Sequence, residues 1–195
     1  MTTHPYPNPP SLWIARFLPQ AQPGATLLDV AAGSGRHARL ALHLGYAVTA
    51  IDRDVSGVAD LVSTPKVTLI QANLENGSPW PLAPHSTFDV VITTNYLHRP
   101  ILPAIVAAVA PGGILLYETF ATGNERYSKP SNPNFLLTPG ELLDVVSGSL
   151  TPIAFEQVTL DSPQGSPAAV VQRIVAAGPN HPWLARPPST TGHTR

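Results

Sequence analysis

The feature that most constrains the fold is a pair of short apolar segments, each with an aspartate near its end, on either side of a glycine turn. The first segment covers residues 25–30, the second covers residues 47–52, and Gly33-Ser34-Gly35 lies between them. Short apolar runs bounded by glycine predict buried strands, and the turn predicts a helix that ends at about Gly45. A strand, a helix and a second strand in this order predict a right-handed crossover between parallel strands.

The same pattern continues to the end of the chain and predicts an α/β domain. Further strands are predicted at residues 67–70, 88–93, 114–118, 152–160 and 168–177. Further helices are predicted at residues 11–18, at about 101–110 and from a capping box at Thr138 and Glu141. Residues 111–113 (Pro-Gly-Gly) predict a turn before the fifth strand. The connector between the last two strands is too short for a crossover helix, so these two strands should pair antiparallel.

Composition bounds the remaining possibilities. The chain has 195 residues, a formal charge of −1 and no cysteine, which fits one globular domain and excludes disulfides and thiol catalysis. No basic block predicts an extended nucleic-acid surface, and no apolar run predicts a membrane span or a signal peptide. The default location is therefore the cytoplasm. Proline clusters predict flexible segments at residues 1–10 and 179–195 around a domain at residues 11–178.

The glycine loop has two interpretations. Residues 33–38 fit the pattern G-x-G-x-x-A, and Asp52 follows at about the distance expected of a dinucleotide-binding fold. Three features favour S-adenosylmethionine over NAD. A carboxylate at Asp29 would repel a pyrophosphate and attract a cationic ligand. The terminal hairpin is the second feature. The third is Asn73, whose side-chain carbonyl could accept a hydrogen bond from an adenine amine.

Two motifs carry a family resemblance. Residues 29–35 (Asp-Val-Ala-Ala-Gly-Ser-Gly) resemble the first motif of class I S-adenosylmethionine-dependent methyltransferases, and residues 110–113 (Ala-Pro-Gly-Gly) are similar to a second motif. Within this class the chain resembles small bacterial enzymes loosely related to the tellurite-resistance methyltransferases. The resemblance implies a Rossmann-like three-layer sandwich with a seven-stranded, mostly parallel sheet. The implied strand order is 3-2-1-4-5-7-6, with strand 7 antiparallel.

The resemblance also implies a cofactor site. Asp52 would accept hydrogen bonds from the ribose hydroxyls, the loop backbone would lie against the methionine moiety, and Asp29 would orient the loop or the amino group. Arg36 or His37 could meet the methionine carboxylate or could simply be solvated. The residues expected at the cofactor are Asp29, Ala31, Gly33, Ser34, Gly35, Asp52, Arg53, Asn73, Leu74 and Asn95.

Catalytic candidates follow the fourth and fifth strands. His98 is a candidate general base because its unperturbed pKa lies near neutrality, although it could equally start a helix. Tyr96 could line the acceptor pocket or belong to the core. Glu118 could reach the cavity rim or form a buried ion pair with Arg99 or Arg126. The histidines show no metal-ligand spacing, so no metal is expected.

Residues 121–137 form a long polar segment after the fifth strand. Loops of this length in compact domains are usually functional or disordered. We interpret the segment as a lid over the acceptor, with Arg126, Lys129 and Asn132 as contact residues; the alternative is a mobile surface loop.

The leading functional prediction is a methyltransferase with a small-molecule acceptor. RNA and protein acceptors stay open, and Arg99, Arg126 and Lys129 could form a small basic rim. An NAD-dependent oxidoreductase and a non-catalytic cofactor-binding partner subunit are the alternatives. The sequence identifies neither the acceptor nor the oligomeric state.

Overall fold

The computed structural model describes residues 9–162 and 165–189. The predicted flexible segments fall partly outside these ranges, at residues 1–8 and 190–195. None of the described helices is long and apolar enough to cross a membrane.

One seven-stranded sheet organises the described chain. The strands are β1 (Thr26–Val30), β2 (Ala47–Asp52), β3 (Val67–Gln71), β4 (Phe88–Thr94), β5 (Val109–Phe120), β6 (Thr151–Asp161) and β7 (Pro167–Ala177). Their order is β3-β2-β1-β4-β5-β7-β6. All pairs among the first five strands are parallel, and β7 pairs antiparallel with both β5 and β6. The predicted strand order and the reversed β7 are confirmed.

The helices cover both faces of the sheet. They are α1 (Leu12–Phe17), α2 (Arg36–His43), α3 (Leu102–Ala107) and α4 (Glu141–Val146). Neighbouring strand residues point to opposite faces, so Leu27 packs with the side chains of α1 and α2, whereas Leu28 packs with those of α3 and α4. This arrangement is the predicted three-layer sandwich.

The connection from α3 to β5 differs from the prediction. The helix ends at Ala107 rather than near residue 110, because Val109 already pairs with Phe88 of β4. The Pro-Gly-Gly stretch lies within β5, where the pairing jumps from Phe88–Val109 to Val90–Ile114. A Cβ at Gly113 would lie 2.7 Å from the Phe88 carbonyl oxygen, so the bulge requires glycine there. The predicted turn is thus a bulge inside a longer strand.

The packed unit extends beyond residue 178, where we predicted a flexible tail. Pro182–Leu184 form a short 3-10 helix, and the His181 side chain accepts a hydrogen bond from the Trp183 backbone amide. Trp183 is 9% exposed and its ring lies 6.5 Å from that of Phe17 in α1. Burial of this aromatic ring orders a part of the chain whose proline content alone suggested flexibility.

Candidate functional site

Three adjoining cavities lie at the carboxyl ends of the central strands. The first, here the Asp52 cavity, has a volume of about 300 Å³ and is lined by Ala31, Asp52, Arg53, Ala72, Asn73, Leu74, Glu75 and Tyr96. The second, the glycine-loop cavity, has a volume of about 320 Å³ and is lined by Ala31, Ala32, Gly33, Ser34, Arg36, Thr94 and Asn95. The third, the Phe135 cavity, has a volume of about 210 Å³ and is lined by Glu75, Asn95, Tyr96, Leu97, Thr119, Phe120, Pro130 and Phe135. Each pair shares at least one lining residue, so the three cavities form one region.

Asp52 is held in place by two backbone amides. One carboxylate oxygen accepts a hydrogen bond from the Gly33 amide at 2.8 Å, and the other accepts from the Asp54 amide at 3.0 Å. An ionised carboxylate can accept about four hydrogen bonds, so the side chain keeps acceptor capacity toward the cavity. The end of β2 and the glycine loop are therefore joined through the residue predicted to bind ribose.

The two glycines of the loop serve different purposes. Gly33 has φ of +55°, and a Cβ at this position would meet no atom within 4 Å. Its backbone therefore borders open space in the glycine-loop cavity. Gly35 has φ of +70°, and a Cβ there would lie 2.2 Å from the Val58 side chain. Only Gly33 combines an open approach with a position in the cavity lining.

Asp29 lies beneath the loop and lines none of the three cavities. It is 1% exposed, and its Oδ2 atom has no hydrogen-bond partner among the described residues. Burial raises the pKa of Asp29 to about 7, although the Ala38 backbone amide and the Arg36 charge act in the opposite direction. The expectation that this carboxylate repels a pyrophosphate is therefore weakened, because near neutral pH the group carries only part of its charge.

His37 does not meet a ligand carboxylate. It is 1% exposed, and its Nε2 accepts a hydrogen bond from the Ser11 backbone amide at 3.1 Å, which places the ring proton on Nδ1 facing the Thr94 hydroxyl at 3.3 Å. Burial, followed by the Arg36 charge, lowers the pKa of His37 to about 3, so the ring is neutral. The histidine anchors the start of α1 to α2, and Arg36 is the member of the pair that lines the glycine-loop cavity.

The residues after β3 include one that the sequence analysis missed. Asn73 and Leu74 line the Asp52 cavity as expected. The Asn73 side-chain carbonyl accepts a hydrogen bond from the Glu75 amide at 2.9 Å, so part of its predicted acceptor capacity for adenine is used locally. This turn presents Glu75 to both the Asp52 and Phe135 cavities. The signal was the spacing of Asn73 and Glu75, since an asparagine commonly binds the amide two residues on.

The end of β4 brings Asn95 and Tyr96 to the site. Asn95 has φ of +54°, and its amide donates to the Glu118 carbonyl at 2.9 Å. The Tyr96 carbonyl accepts from the Tyr117 hydroxyl at 2.9 Å, while the Tyr96 hydroxyl is buried beside Glu75. Burial, followed by the charge of Glu75, raises the pKa of Tyr96. His98, by contrast, lines none of the three cavities.

Glu118 pairs with a different arginine from the two that we predicted. It is 7% exposed, and its Oε2 lies 3.6 Å from a guanidinium nitrogen of Arg173, the residue opposite it on β7. Arg173 also binds Glu156 at 2.6 Å and lies over the Trp13 ring. Strand alternation turns Glu118 toward α1, and it lines none of the three cavities. The structure therefore places Glu118 in the buried ion pair that was the alternative interpretation, with Arg173 in place of Arg99 or Arg126.

The lid segment is attached to the domain by Arg99. The Arg99 guanidinium donates hydrogen bonds to the backbone carbonyls of Asn134 and Leu136, both at 2.9 Å. It also forms an ion pair with Glu141 at 2.7 Å. The two carbonyls flank Phe135, so Arg99 fixes the backbone on both sides of this ring.

A second attachment holds the first half of the lid. The Asn124 side chain is buried, accepts from the Val170 amide of β7 at 3.0 Å and donates to the Pro130 carbonyl at 3.0 Å. The lid therefore contributes Pro130 and Phe135 to the cavity lining. The residues that we expected there are exposed and lie outside that lining: Arg126, Lys129 and Asn132.

The start of α4 also differs from the predicted capping box. Glu141 accepts from the Thr138 amide at 2.8 Å, as in such a box. The Thr138 hydroxyl, however, donates to the same carboxylate, and Gly140 with φ of +78° directly precedes the helix. Glu141 thus joins the helix start to Arg99 and the lid. In the described residues no group of three histidine or acidic side chains is arranged to hold a metal ion.

Comparisons with known proteins place this site in context. A family profile described as a methyltransferase domain matches residues 4–133, which include β1 to β5 and every residue that lines the Asp52 and glycine-loop cavities. The ubiquinone biosynthesis O-methyltransferase of Paramagnetospirillum magneticum is 32% identical over 101 residues, which is 49% of this chain. The match spans only 41% of that protein's length.

Solved structures show the same fold. The TehB structure from Haemophilus influenzae matches with a TM-score of 0.59 and 18% identity, covering 79% of this chain and 57% of that one. The 1,6-didemethyltoxoflavin-N1-methyltransferase of Burkholderia thailandensis matches with a TM-score of 0.62 and 20% identity, covering 85% and 76%. At these identities the structures support the fold alone. Together with the family profile and the strand order, they identify the chain as a member of the methyltransferase domain family with the class I fold.

Proposed function

We propose that the chain is an S-adenosylmethionine-dependent methyltransferase with a small-molecule acceptor. The observation that carries the proposal is the Asp52 carboxylate, which the Gly33 amide holds at the wall of a cavity. An acid at the end of the second strand can accept hydrogen bonds from both hydroxyls of a ribose. The joined Asp52 and glycine-loop cavities would then hold the nucleoside and the methionine moiety, respectively.

The chain's own residues fit this cofactor. Gly33 leaves open space for a ligand, since a Cβ there would meet no atom within 4 Å. Arg36 lines the same cavity and would meet the methionine carboxylate. Asn73 and Leu74 would flank the adenine. When bound, S-adenosylmethionine supplies an activated methyl group on a sulfonium that is already a good leaving group.

The Phe135 cavity is the proposed acceptor site. It shares Asn95 with the glycine-loop cavity and Tyr96 with the Asp52 cavity, so a molecule held there adjoins both parts of the cofactor. Its role would be to align the acceptor atom with the methyl group, since alignment supplies much of the rate of such a transfer. One structural neighbour was solved with bound 1,6-didemethyltoxoflavin and S-adenosylhomocysteine, which supports a small-molecule acceptor by analogy.

The alternatives have less support. The reversed β7 and the family profile favour a methyltransferase over an NAD-dependent oxidoreductase. The retained Gly33 and Asp52 favour cofactor binding over a degenerate partner subunit. The basic rim considered for nucleic acid loses one member, because Arg99 is bound to Glu141 and to lid carbonyls.

Titration calorimetry with S-adenosylmethionine and, separately, with NAD tests the cofactor assignment. We expect binding of S-adenosylmethionine alone. Asp52→Ala should weaken that binding by about 2–4 kcal/mol, because it removes charge-assisted hydrogen bonds to the ribose. Asp52→Asn keeps a side-chain oxygen that can accept from the Gly33 amide but removes the charge. It therefore distinguishes the support of the glycine loop from the binding of the ribose. Asp144→Ala is the control, since Asp144 is exposed on α4 and lines none of the three cavities. Wild-type affinity in Asp52→Ala would remove the ribose role.

A further inference from the structure

The Phe135 cavity has an unusual balance of charge. Its lining combines polar side chains with the apolar residues Phe120, Phe135 and Pro130, and Glu75 is its one charged lining residue in the described chain. Among the described residues, no lysine, arginine or histidine lines it. An anionic acceptor would therefore meet a carboxylate and no cation, whereas a neutral or cationic acceptor would meet no such repulsion.

A buried hydroxyl lies beside Glu75. Tyr96 and Glu75 both line the Phe135 cavity, and the Tyr96 oxygen is excluded from solvent. Burial, followed by the charge of Glu75 and a hydrogen bond with it, raises the pKa of Tyr96. A neutral Tyr96 hydroxyl can donate to the Glu75 carboxylate and help to orient it, and that carboxylate keeps further acceptor capacity. Glu75 thus gives the cavity one carboxylate with a neighbouring hydroxyl.

An aromatic ring, that of Phe135, also lines the cavity, and its backbone is held in place. Phe135 is 46% exposed, although Arg99 binds the carbonyls on both sides of it. A fixed and partly exposed ring is suited to cover a flat apolar molecule without a large ordering cost. The cavity volume of about 210 Å³ is smaller than the range of about 300–1,000 Å³ usual for drug-sized ligands, which favours a compact molecule of one or two rings.

We propose that Glu75 selects the acceptor, which is a compact ring compound without negative charge that donates an N–H or O–H hydrogen bond to Glu75 and packs against Phe135. The proposal rests on the proposed function and adds the class of acceptor and the residue that determines it. It also replaces the expectation that Arg126 and Lys129 contact the acceptor, because neither lines the cavity.

The same hydrogen bond gives Glu75 a role in the proton balance. As the acceptor nitrogen or oxygen forms its bond to the methyl carbon, the carbon–sulfur bond breaks and sulfur keeps the electron pair. The acceptor's proton is then surplus, and the Glu75 carboxylate can take it or pass it to water. His98 lines none of the cavities and is not needed for this transfer.

The test measures binding to protein saturated with S-adenosylhomocysteine, so that changes in cofactor affinity do not enter the comparison. The three probes share one ring system: benzimidazole, 1-methylbenzimidazole, which lacks the N–H donor, and benzimidazole-5-carboxylate, which is an anion. Dissociation constants are measured at pH 7.5 by ligand-observed NMR titration. We expect the wild-type protein to bind benzimidazole about fivefold or more tightly than either of the other two probes.

Two variants separate the charge of Glu75 from its surroundings. Glu75→Gln keeps the shape and removes the charge, and we expect the carboxylate probe to gain about fivefold in affinity relative to benzimidazole. Glu125→Gln is the matched control, because Glu125 is an exposed lid acid outside the cavity lining, and it should leave this ratio unchanged. Tyr96→Phe removes the hydroxyl that lies beside Glu75. This variant should therefore show a smaller preference for benzimidazole over 1-methylbenzimidazole.

Specific results would overturn the inference. One is that the wild-type protein binds benzimidazole-5-carboxylate as tightly as benzimidazole. Another is that the affinity for the carboxylate probe relative to benzimidazole is the same in Glu75→Gln as in Glu125→Gln. The third is that the wild-type protein shows no detectable binding of benzimidazole at millimolar concentration. If S-adenosylhomocysteine binds and any of these results is obtained, only the acceptor class is wrong. If the wild-type protein does not bind S-adenosylhomocysteine, the proposed function fails and the acceptor class fails with it.

Discussion

Replacing Asp29 with asparagine should change how the stability of the protein depends on pH. The carboxyl group is almost fully buried under the glycine loop, and one of its oxygens has no hydrogen-bond partner among the described residues. Burial raises its pKa from 3.8 to about 7. The asparagine side chain would keep an oxygen to accept from the Ala38 amide and would carry no charge at any pH, so the substitution removes the titration with little change of shape.

The sign follows from the direction in which burial moves the pKa. Because the pKa of Asp29 is higher in the folded state, the unfolded chain loses this proton at lower pH than the folded protein does. The free energy of unfolding therefore falls progressively as the pH rises from 3.8 to about 7. Each pH unit between these two pKa values costs about 1.4 kcal/mol, so the full penalty is about 4 kcal/mol above pH 7, of which about 3 kcal/mol develops between pH 5 and pH 8. We therefore expect the unfolding free energy of Asp29→Asn, relative to that of the wild type, to increase by about 3 kcal/mol when the pH is raised from about 5 to about 8.

Urea denaturation of both proteins at pH 5 and pH 8 measures this difference, because the contributions of the other titrating groups cancel between them. The control is Asp144→Asn, which alters an exposed carboxylate and should show no comparable change with pH. The reasoning would be refuted if the difference in unfolding free energy between wild type and Asp29→Asn were the same at both pH values. Such a result would mean that water or loop motion solvates the carboxylate in the folded state.

Two further predictions concern the loop and the lid. Gly33→Ala should weaken S-adenosylmethionine binding about tenfold or more in calorimetry, because the new methyl group enters the open space of the cavity. Its cost to stability should match that of Gly77→Ala, about 1–2 kcal/mol, since both glycines have positive φ and no neighbouring atoms; a larger stability loss at Gly33 would favour a purely structural role. Arg99→Ala should raise the acceptor KM about fivefold by freeing the backbone around Phe135, yet leave the S-adenosylmethionine Kd within about twofold. Arg126→Ala, at an exposed lid position outside the cavity, should change neither constant, and equal effects of the two arginine variants would contradict the positioning role of Arg99.

Much of the fold could be predicted because its signals are local. Apolar runs of strand length locate all seven strands to within a few residues, apart from the extension of β5 to Val109. The antiparallel β7 followed from a connector too short to hold a crossover helix. The lengthening of β5 was missed because proline and glycine indicate a turn as readily as a bulge, and only the pairing of Phe88 with Val109 distinguishes them.

Part of the site could also be predicted from the sequence. Asp52 and Gly33 could be assigned to one place, since consecutive parallel strands bring their carboxyl ends to the same edge of the sheet, and the structure joins them by a 2.8 Å hydrogen bond. Asn73 and Leu74 could be placed at that edge for the same reason. These positions depend on strand direction, which the strand–helix alternation predicts, and on strand order, which the family resemblance implied.

The sequence by itself therefore determined the α/β class, the direction of the strands and the edge at which a ligand would bind, and its family resemblance implied the strand order. Only the tertiary structure decided which charged side chains meet. Glu118 faces Arg173 because β5 and β7 are neighbours in one particular register, and Arg99, just before α3, pairs with Glu141 at the start of α4. Residue spacing shows that alternate side chains share a face of a strand, but not which face packs against α1 or which distant residue lies opposite. Those pairings depend on contacts between segments far apart in the chain, and they placed Glu118 beside Arg173 rather than in the lining of the proposed acceptor site.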